Sequence, residues 1–112
     1  TQVQEQDDVL TLDDYLIDDP NRTGLVTVRG DSMRDVGLLN GDIVCVESNV
    51  PTKAGDIVVA VVDGEMTVKT LRLGRNGRYH LEAANPDYAD IHPKGSLEIV
   101  GVVVSSCRRI RR

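Results

Sequence analysis

The stretch DIVVAVVDGEMTVKTL, residues 56–71, decides the fold of this chain. Residues 57–62 are continuously apolar and rich in β-branched side chains, which is typical of a strand that is covered on both faces. Asp63-Gly64 then separates this run from a second strand-like run by two residues that favour a tight turn. The stretch therefore predicts an antiparallel hairpin whose first strand is buried.

The returning strand of this hairpin carries one lysine among apolar neighbours. Because side chains alternate along a strand, Lys69 is expected to share a face with Thr67 and Leu71. In an apolar pocket a lysine amine loses hydration, which lowers its pKa and lets the neutral amine act as a base. Taken alone, however, Lys69 would be interpreted as an ordinary strand lysine that faces water.

Further strand and turn signals lie on both sides of the hairpin, without a long helical period. Strand-like runs cover residues 25–28, 42–47, 79–83 and 97–105, and turn signals occur at Asn40-Gly41, Gly55, Gly74 and Asn76-Gly77. Short strands joined by Gly, Asn and Asp turns are typical of a barrel-like or sandwich-like β domain. We therefore predict a mostly β chain that forms one compact domain of short strands and hairpins.

Residues 1–22 differ from this body and are interpreted as an acidic N-terminal arm, followed by a β domain over residues 23–112. The arm is crowded with aspartates, at positions 7, 8, 13, 14, 18 and 19. Leu12, Tyr15 and Leu16 are spaced to share one face of a short helical turn that ends before Pro20. We expect these side chains and Ile17 to dock on the body or on a second copy, and residues 1 to about 10 to be mobile.

The composition limits both the core and the choice of partner. The chain has 112 residues, no Trp or Phe and three Tyr, so Val, Ile and Leu must fill one modest core. A net charge of −5 argues against wrapping nucleic acid, whose affinity depends on neutralising phosphates. We therefore expect the chain to bind a protein partner and not a nucleic acid. The C-terminal arginines (108, 109, 111 and 112) are interpreted as a solvated end, and direct nucleic-acid contact is not expected.

Two cysteines are too few for a disulfide framework. Cys45 and Cys107 each lie in a valine-rich run, so we interpret them as free, reduced core thiols of a cytoplasmic protein. The sequence has no apolar stretch long enough for a membrane span and no signal-peptide pattern. Membrane anchoring and export are therefore not expected.

The remaining titratable residues indicate no metal site and no cofactor. His80 and His92 lie in different local contexts without the spacing of metal ligands. Asp31, Asp42 and Asp56 each follow a glycine, and we interpret them as carboxylates that cap turns.

Ser32 stands in the motif Gly30-Asp31-Ser32-Met33, directly after a strand-like run. Alone it would be an ordinary turn residue. A serine hydroxyl is a weak nucleophile at neutral pH unless a nearby base removes its proton. Lys69, 37 positions further along, could be that base only if the fold brings the two together across a sheet. The hypothesis is a Ser/Lys catalytic dyad.

Several motifs, in this order and at this spacing, resemble the catalytic domain of the LexA/UmuD family of self-cleaving serine peptidases. They are Gly30-Asp31-Ser32-Met33, Gly41-Asp42, residues 55–60, Asp63-Gly64-Glu65, Thr67-Val68-Lys69 and Gly101-Val102-Val103. The resemblance covers about residues 11–104 and includes the serine-to-lysine interval that the family uses. Residues 12–17, followed by Pro20, are more similar to UmuD in its processed form than to LexA or phage repressors.

The resemblance implies a role for each residue of the serine turn. Ser32 would be the nucleophile, Lys69 the general base, and the backbone N–H groups of Asp31 and Ser32 the oxyanion donors. Met33 would pack beneath the nucleophile. Proteins of this family cut one of their own bonds, usually Ala-Gly or Cys-Gly, when the RecA–single-stranded-DNA filament stimulates them. No such pair precedes Ser32, so the scissile bond is expected to be absent, as in a product that has already been cleaved.

Three functions follow from these residues and this resemblance. The first is a UmuD-like protein of the SOS response, a processed homodimer that joins a Y-family polymerase as accessory subunit in translesion synthesis. The second is the C-terminal dimerisation and self-cleavage domain of a LexA-like or phage-type repressor, which a long upstream reading frame would favour. The third, a signal-peptidase-like enzyme, is disfavoured by the missing anchor and the short serine-to-lysine interval.

The homodimer also has a reason in the sequence itself. The apolar run over residues 99–104 is expected to leave an exposed strand edge, which symmetric association would cover.

Overall fold

The computed structural model describes residues 11–111, and one antiparallel sheet dominates it. The strands are β1 (Thr23–Thr27), β2 (Ile43–Glu47), β3 (Ile57–Val62), β4 (Glu65–Leu73), β5 (Tyr79–Glu82) and β6 (Leu97–Cys107). The described residues also form one short α-helix, α1 (Leu12–Leu16), and two 3₁₀ turns at Pro20–Arg22 and Arg34–Val36. The prediction of a mostly β chain is confirmed.

The order of the strands across the sheet is β1-β2-β6-β3-β4-β5. Three strands therefore separate β1 from β4, yet residues at the end of β1 and on β4 line one common cleft. The sheet must curl to bring them together, and the twist between neighbouring strands allows this. The curl gives the sheet the barrel-like shape on which the site depends.

The hairpin between β3 and β4 forms as its sequence predicts. Asp63 and Gly64 both have positive φ, 48° and 91°, which is the backbone that a two-residue turn between twisted strands requires. In the resulting register Val62 faces Glu65 and Val58 faces Lys69. The Asp63 carboxylate also accepts hydrogen bonds from three successive N–H groups, those of residues 94–96, at 2.7–3.1 Å. These bonds lower the pKa of Asp63 and tie the turn to the loop before β6.

The core lies on both faces of the sheet. On one face Val59 packs with Val44, Val46 and Met33, and on the other Val58 and Ala60 pack with Leu71 and Leu81. Successive β3 residues thus enter different clusters, as the alternation of side chains requires. The prediction that this strand is covered on both faces is confirmed.

The prediction that residues 99–104 form an exposed edge holds only in part. β6 lies between β2 and β3 in the strand order, but its residues up to Val102 pair with β3 and those from Val102 onward pair with β2, so each half has one side that no strand of the described residues pairs. Gly101 is required at this crossing, because a Cβ there would lie 2.7 Å from the Glu47 carbonyl oxygen and from Val46 Cγ1. β1 and β5 end the strand order of the described sheet, and each half of β6 adds one side without a paired strand.

The N-terminal arm docks through fewer residues than expected. Thr11 Oγ1 accepts a hydrogen bond from the Asp14 N–H and caps α1, as serine and threonine do at helix starts. Leu16 is half-buried, and its carbonyl oxygen accepts a 2.6 Å hydrogen bond from Ser105 Oγ. Leu12 and Tyr15 remain 76% and 73% exposed, because the helix is only five residues long and contacts β6 at its end. Docking of these two side chains on the same chain is therefore not found, and residues 1–10 lie outside the described part.

The two cysteines are both free, but only Cys45 is buried. Cys107 is exposed, contrary to the prediction of a second core thiol. The reason is its position at the last residue of β6, where the strand has β2 on one side and no longer has β3 on the other.

Arg108 binds the body of the domain, although the C-terminal arginines are predicted to form a solvated end. Its guanidinium binds the buried carboxylate of Asp42 through two hydrogen bonds of 2.7 Å, and it donates a third to the Gly37 carbonyl oxygen at 2.9 Å. These contacts fasten the chain after β6 to the loop that precedes β2. The bonds from Arg108 are the main cause that lowers the pKa of Asp42 to about 2.

Candidate active site

The serine turn follows β1 and is shaped by a glycine and a buried methionine. Gly30 has a φ of 80°, which side-chain-bearing residues rarely adopt, and its N–H donates a 2.8 Å hydrogen bond to Asn40 Oδ1. Met33 is 1% exposed and packs in the core beneath the turn. Between them, Ser32 is half-buried and lines a cleft of about 240 Å³ together with residues 26–29 and 66–69.

Lys69 reaches this cleft from the middle of β4. Its side chain is buried, with 8% of the residue exposed, and its Nζ lies 3.0 Å from Ser32 Oγ. The fold thus places side by side the two atoms that the dyad hypothesis needs. The same amine lies 2.7 Å from Thr67 Oγ1 and 3.2 Å from the Val68 carbonyl oxygen. Thr67 shares the Lys69 face of the strand, as the alternation predicted.

The surroundings of Lys69 favour its neutral form. Burial lowers the pKa of the amine, because leaving water disfavours the charged ammonium. Within residues 11–111 no carboxylate lies within ion-pair distance of Lys69. A neutral amine has two N–H donors and one lone pair. With Thr67 Oγ1 and the Val68 carbonyl oxygen accepting the two N–H groups, the lone pair is left for the Ser32 hydroxyl proton.

The backbone at the serine turn leaves N–H groups available to a bound molecule. Within residues 11–111 the N–H groups of Asp31 and Ser32 donate no hydrogen bond, whereas the Asp31 carbonyl oxygen accepts two, from the Arg34 N–H and the Asn85 side chain. Successive unpaired amides at one turn can bind a developing negative charge. The oxyanion role of these two residues stays a prediction.

Asp31 does not cap a turn with its carboxylate, in contrast to Asp42 and Asp56. Asp42 accepts from the Leu39 N–H at 2.8 Å and Asp56 from the Lys53 N–H at 3.0 Å, as turn-capping carboxylates do. The Asp31 carboxylate instead accepts a 2.6 Å hydrogen bond from the Tyr88 hydroxyl. The difference arises because the segment after β5 folds over the serine turn.

Sequence reasoning missed three residues that contact the site. The alternation along β4 predicts the face of Thr67 but no role for it, and no motif singles out Asn85 or Tyr88. Their only signal is the polar, proline-containing run Asn85-Pro86-Asp87-Tyr88 after a strand, which by itself indicates a turn. The contacts of Asn85 and Tyr88 with Asp31 span 54 and 57 positions, so no local pattern reveals them.

His80 and His92 lie together in the structure, although their local sequence contexts differ. Their rings stack with centroids 4.8 Å apart, and His80 Nε2 lies 3.5 Å from Asp90 Oδ2. The cause is an isolated bridge between Leu81 and Ile91, which aligns β5 with the segment that carries His92. In the described part of the chain no group of three or more His, Cys, Asp or Glu is arranged to hold a metal ion.

The site has a buried lysine at hydrogen-bond distance from a serine, in a cleft of a curled β-sheet. This is the arrangement that a hydrolase with a Ser/Lys dyad requires. The Peptidase S24-like family model matches residues 1–104, and the chain belongs to this family of LexA/UmuD-like self-cleaving serine peptidases.

Curated relatives agree with this assignment. The chain is 45% identical over 85 residues to LexA repressor 2 of Xanthomonas axonopodis pv. citri, covering 76% of this chain and 39% of the repressor. It is 43% identical over 107 residues to LexA repressor 1 of Nocardia farcinica, covering 96% and 48%. It is 40% identical over 102 residues to protein SamA of Salmonella typhimurium, covering 91% and 71%. The chain thus spans less than half the length of these LexA repressors. In residues 11–111, no helix is both long and apolar enough to cross a membrane.

Proposed function

We propose that this chain is the catalytic domain of a self-cleaving serine peptidase in which Ser32 is the nucleophile and Lys69 the general base. The observation that carries this proposal is the 3.0 Å contact between Lys69 Nζ and Ser32 Oγ, made by a buried amine without an acidic partner in the described residues. A charged ammonium could not take the serine proton, so burial without a counter-charge is the condition the chemistry needs.

The reaction follows from these two groups and one water molecule. Lys69 takes the proton of Ser32 as Oγ bonds to the carbonyl carbon of the scissile peptide, and the N–H groups of Asp31 and Ser32 stabilise the oxyanion. The ammonium then gives this proton to the leaving amine nitrogen as the C–N bond breaks, which leaves a serine ester. A water molecule, deprotonated by Lys69, hydrolyses the ester to a carboxylic acid and restores the serine.

The wider role that we propose is that of a UmuD-like protein of the SOS response. Its precursor would be cleaved on contact with the RecA–single-stranded-DNA filament, and the product would join a Y-family polymerase in translesion synthesis. The match to SamA, 40% identical over 91% of this chain, supports this proposal. The alternative is the C-terminal domain of a LexA-like repressor, favoured by identities of 45% and 43% to two LexA repressors, which are higher than the 40% to SamA.

We also propose that the chain forms a homodimer, as the family resemblance implies. The exposed apolar side chains of Leu12 and Tyr15 support it, because no residue between positions 11 and 111 covers them. Light scattering at micromolar concentration should give twice the chain mass. A monomeric mass would contradict the dimer without touching the proposed chemistry.

The chemistry is tested by covalent labelling, which needs no scissile bond in the chain. A fluorophosphonate probe should react at Ser32 with loss of fluoride, as Oγ bonds to phosphorus and Lys69 takes the proton. Peptide mapping by mass spectrometry should find the adduct on Ser32. Ser32→Ala should abolish it, and Lys69→Ala should slow it by at least about a hundredfold. The matched controls Ser96→Ala and Lys53→Ala, both at exposed positions, should react like the wild type.

The role is tested on the gene that encodes the chain. A reading frame with a short upstream segment, and a product that binds a Y-family polymerase, would support the UmuD-like role. A helix-turn-helix encoded upstream would support the repressor instead.

A further inference from the structure

The serine turn is held by the segment that follows β5. Asn85 Nδ2 donates a 2.9 Å hydrogen bond to the Asp31 carbonyl oxygen, and the Tyr88 hydroxyl donates a 2.6 Å bond to the Asp31 carboxylate. A third bond runs in the opposite direction, from the Asp35 N–H to the Ala84 carbonyl oxygen at 2.9 Å. The residue before the candidate nucleophile is thus bound through both its backbone and its side chain.

The Asn85 bond acts on the peptide unit that carries the Ser32 N–H. This unit is trans, and a trans peptide is planar, with its carbonyl and N–H pointing in opposite directions. Fixing the Asp31 carbonyl oxygen therefore fixes the direction of the Ser32 N–H. A hydrogen bond to the carbonyl also polarises the peptide, which strengthens the N–H as a donor.

We propose that Asn85 and Tyr88 are positioning residues that aim the Asp31–Ser32 peptide at the oxyanion of the reaction. This inference rests on the proposed function, since it names the residues that set the geometry of the same site.

The Asn85 side chain is held in place for its contact with the Asp31 carbonyl oxygen. The residue is 3% exposed, its Oδ1 accepts a 2.9 Å hydrogen bond from the Asp87 N–H, and its Nδ2 is directed at Asp31. A buried amide that loses its partner carries the free-energy cost of desolvation without compensation. The Asp31 carbonyl therefore cannot rotate away unless Asn85 is left with an unpaired donor.

Tyr88 restrains the turn from the solvent side. Its hydroxyl donates to the Asp31 carboxylate, and this bond is the main cause that raises the pKa of Tyr88, because an ionised phenol has no proton to donate and would also repel the carboxylate. The ring itself is 45% exposed, so removing the hydroxyl leaves the packing of the domain unchanged. Tyr88→Phe therefore isolates the hydrogen bond from the fold.

The inference is tested by the rate of fluorophosphonate labelling at Ser32 in the 112-residue chain, measured across pH. Asn85→Ala should lower the maximal rate by about ten- to a hundredfold, as expected when an oxyanion donor is misaligned. The pH midpoint should stay that of the wild type, because no contact of Lys69 is changed. The matched control is Asn76→Ala: Asn76 Oδ1 accepts from the Arg78 N–H at 3.0 Å, the same local bond in the β4–β5 turn, far from the serine.

Tyr88→Phe is the second test variant, and Tyr79→Phe, at a similarly exposed tyrosine, is its control. The loss of one hydrogen bond should slow labelling by about two- to tenfold without changing the melting temperature. If Asn85→Ala fails to fold, the labelling rates of Tyr88→Phe and Tyr79→Phe decide whether the inference holds.

Wild-type rates in both Asn85→Ala and Tyr88→Phe would overturn the inference and leave the proposed function intact. A shifted pH midpoint in either variant would also overturn it, because the contact would then act on the lysine and not on the oxyanion donor. Absence of labelling in the wild type would instead contradict the proposed function itself.

Discussion

Lys69 Nζ lies 3.0 Å from Ser32 Oγ although the two residues are 37 positions apart. The serine follows β1, at one edge of the described sheet, and the lysine lies on β4, with three strands between β1 and β4 in the sheet order. The contact exists only because the sheet curls, so the candidate site depends on the whole domain.

Labelling of Ser32 should accelerate as pH rises through the folded pKa of Lys69. Burial places that pKa below the usual 10.5 of lysine, so the rate should reach its plateau before a free lysine would be deprotonated. The check is the labelling rate of the 112-residue chain between pH 6 and about 10. A labelling rate that rises only above the usual lysine pKa would contradict a depressed amine.

Thr67→Val should both slow labelling and shift its pH profile. Thr67 Oγ1 accepts the shortest hydrogen bond of the Lys69 amine, at 2.7 Å. A hydrogen bond to an ammonium stabilises the charged form, so its loss should lower the pKa of Lys69 further and move the midpoint to lower pH. We expect the maximal rate to fall by about tenfold because the amine is less well oriented. Thr70→Val, a buried threonine of the same strand, is the control and should leave both quantities unchanged.

Acid should remove the stabilisation that Asp42 provides. Its folded pKa of about 2 lies below the unfolded value of 3.8, so the contribution is complete above about pH 4 and is lost as pH falls through about 2. The shift corresponds to at most about 2 kcal/mol of unfolding free energy at neutral pH, and to less where solvent screens the pair, because the Arg108 side chain is 45% exposed. Urea unfolding at pH 7 and at low pH should show this difference in the wild type and much less of it in Asp42→Asn. The exposed Glu98→Gln serves as control, and an unchanged acid sensitivity in Asp42→Asn would refute the assignment.

The N-terminal arm should stabilise the domain against unfolding only at its docked end, around Leu16. Leu16→Ala should lower the unfolding free energy by about 1 kcal/mol, since a half-buried leucine loses part of the apolar contact that a core leucine would. Leu12→Ala, at an exposed position on the same helix, should stay within about 0.5 kcal/mol of the wild type. Urea unfolding at a concentration where light scattering finds monomer separates this effect from dimerisation. Equal losses in the two variants would show that the helix docks on its other face.

Much of the sheet could be predicted because its signals are local. The apolar run of residues 57–62, the Asp63-Gly64 turn and the alternation along β4 each depend on neighbours within a few positions. The same alternation placed Thr67 and Lys69 on one face, and the motifs around Ser32 and Lys69 indicated the family before any contact was known.

Other features were decided by strand order and by contacts between distant segments. The sequence of residues 97–107 does not show which strands pair with β6. Only the fold decides that its first half pairs with β3 and its second half with β2, which leaves Cys107 exposed at its end. In the same way, the bridge between Leu81 and Ile91 lets the rings of His80 and His92 stack, although the two residues belong to different segments of the sequence.

By itself, the sequence determined the β class, the central hairpin and the pair of residues proposed to react, because periodicity, turn chemistry and motif order are written along the chain. Only the tertiary structure decided that the Lys69 amine is buried against Ser32, and that Asn85 holds the Asp31 carbonyl from 54 positions away. The physical reason is that burial and hydrogen-bond partnership are properties of the folded sheet, whose curl and strand order no local pattern specifies.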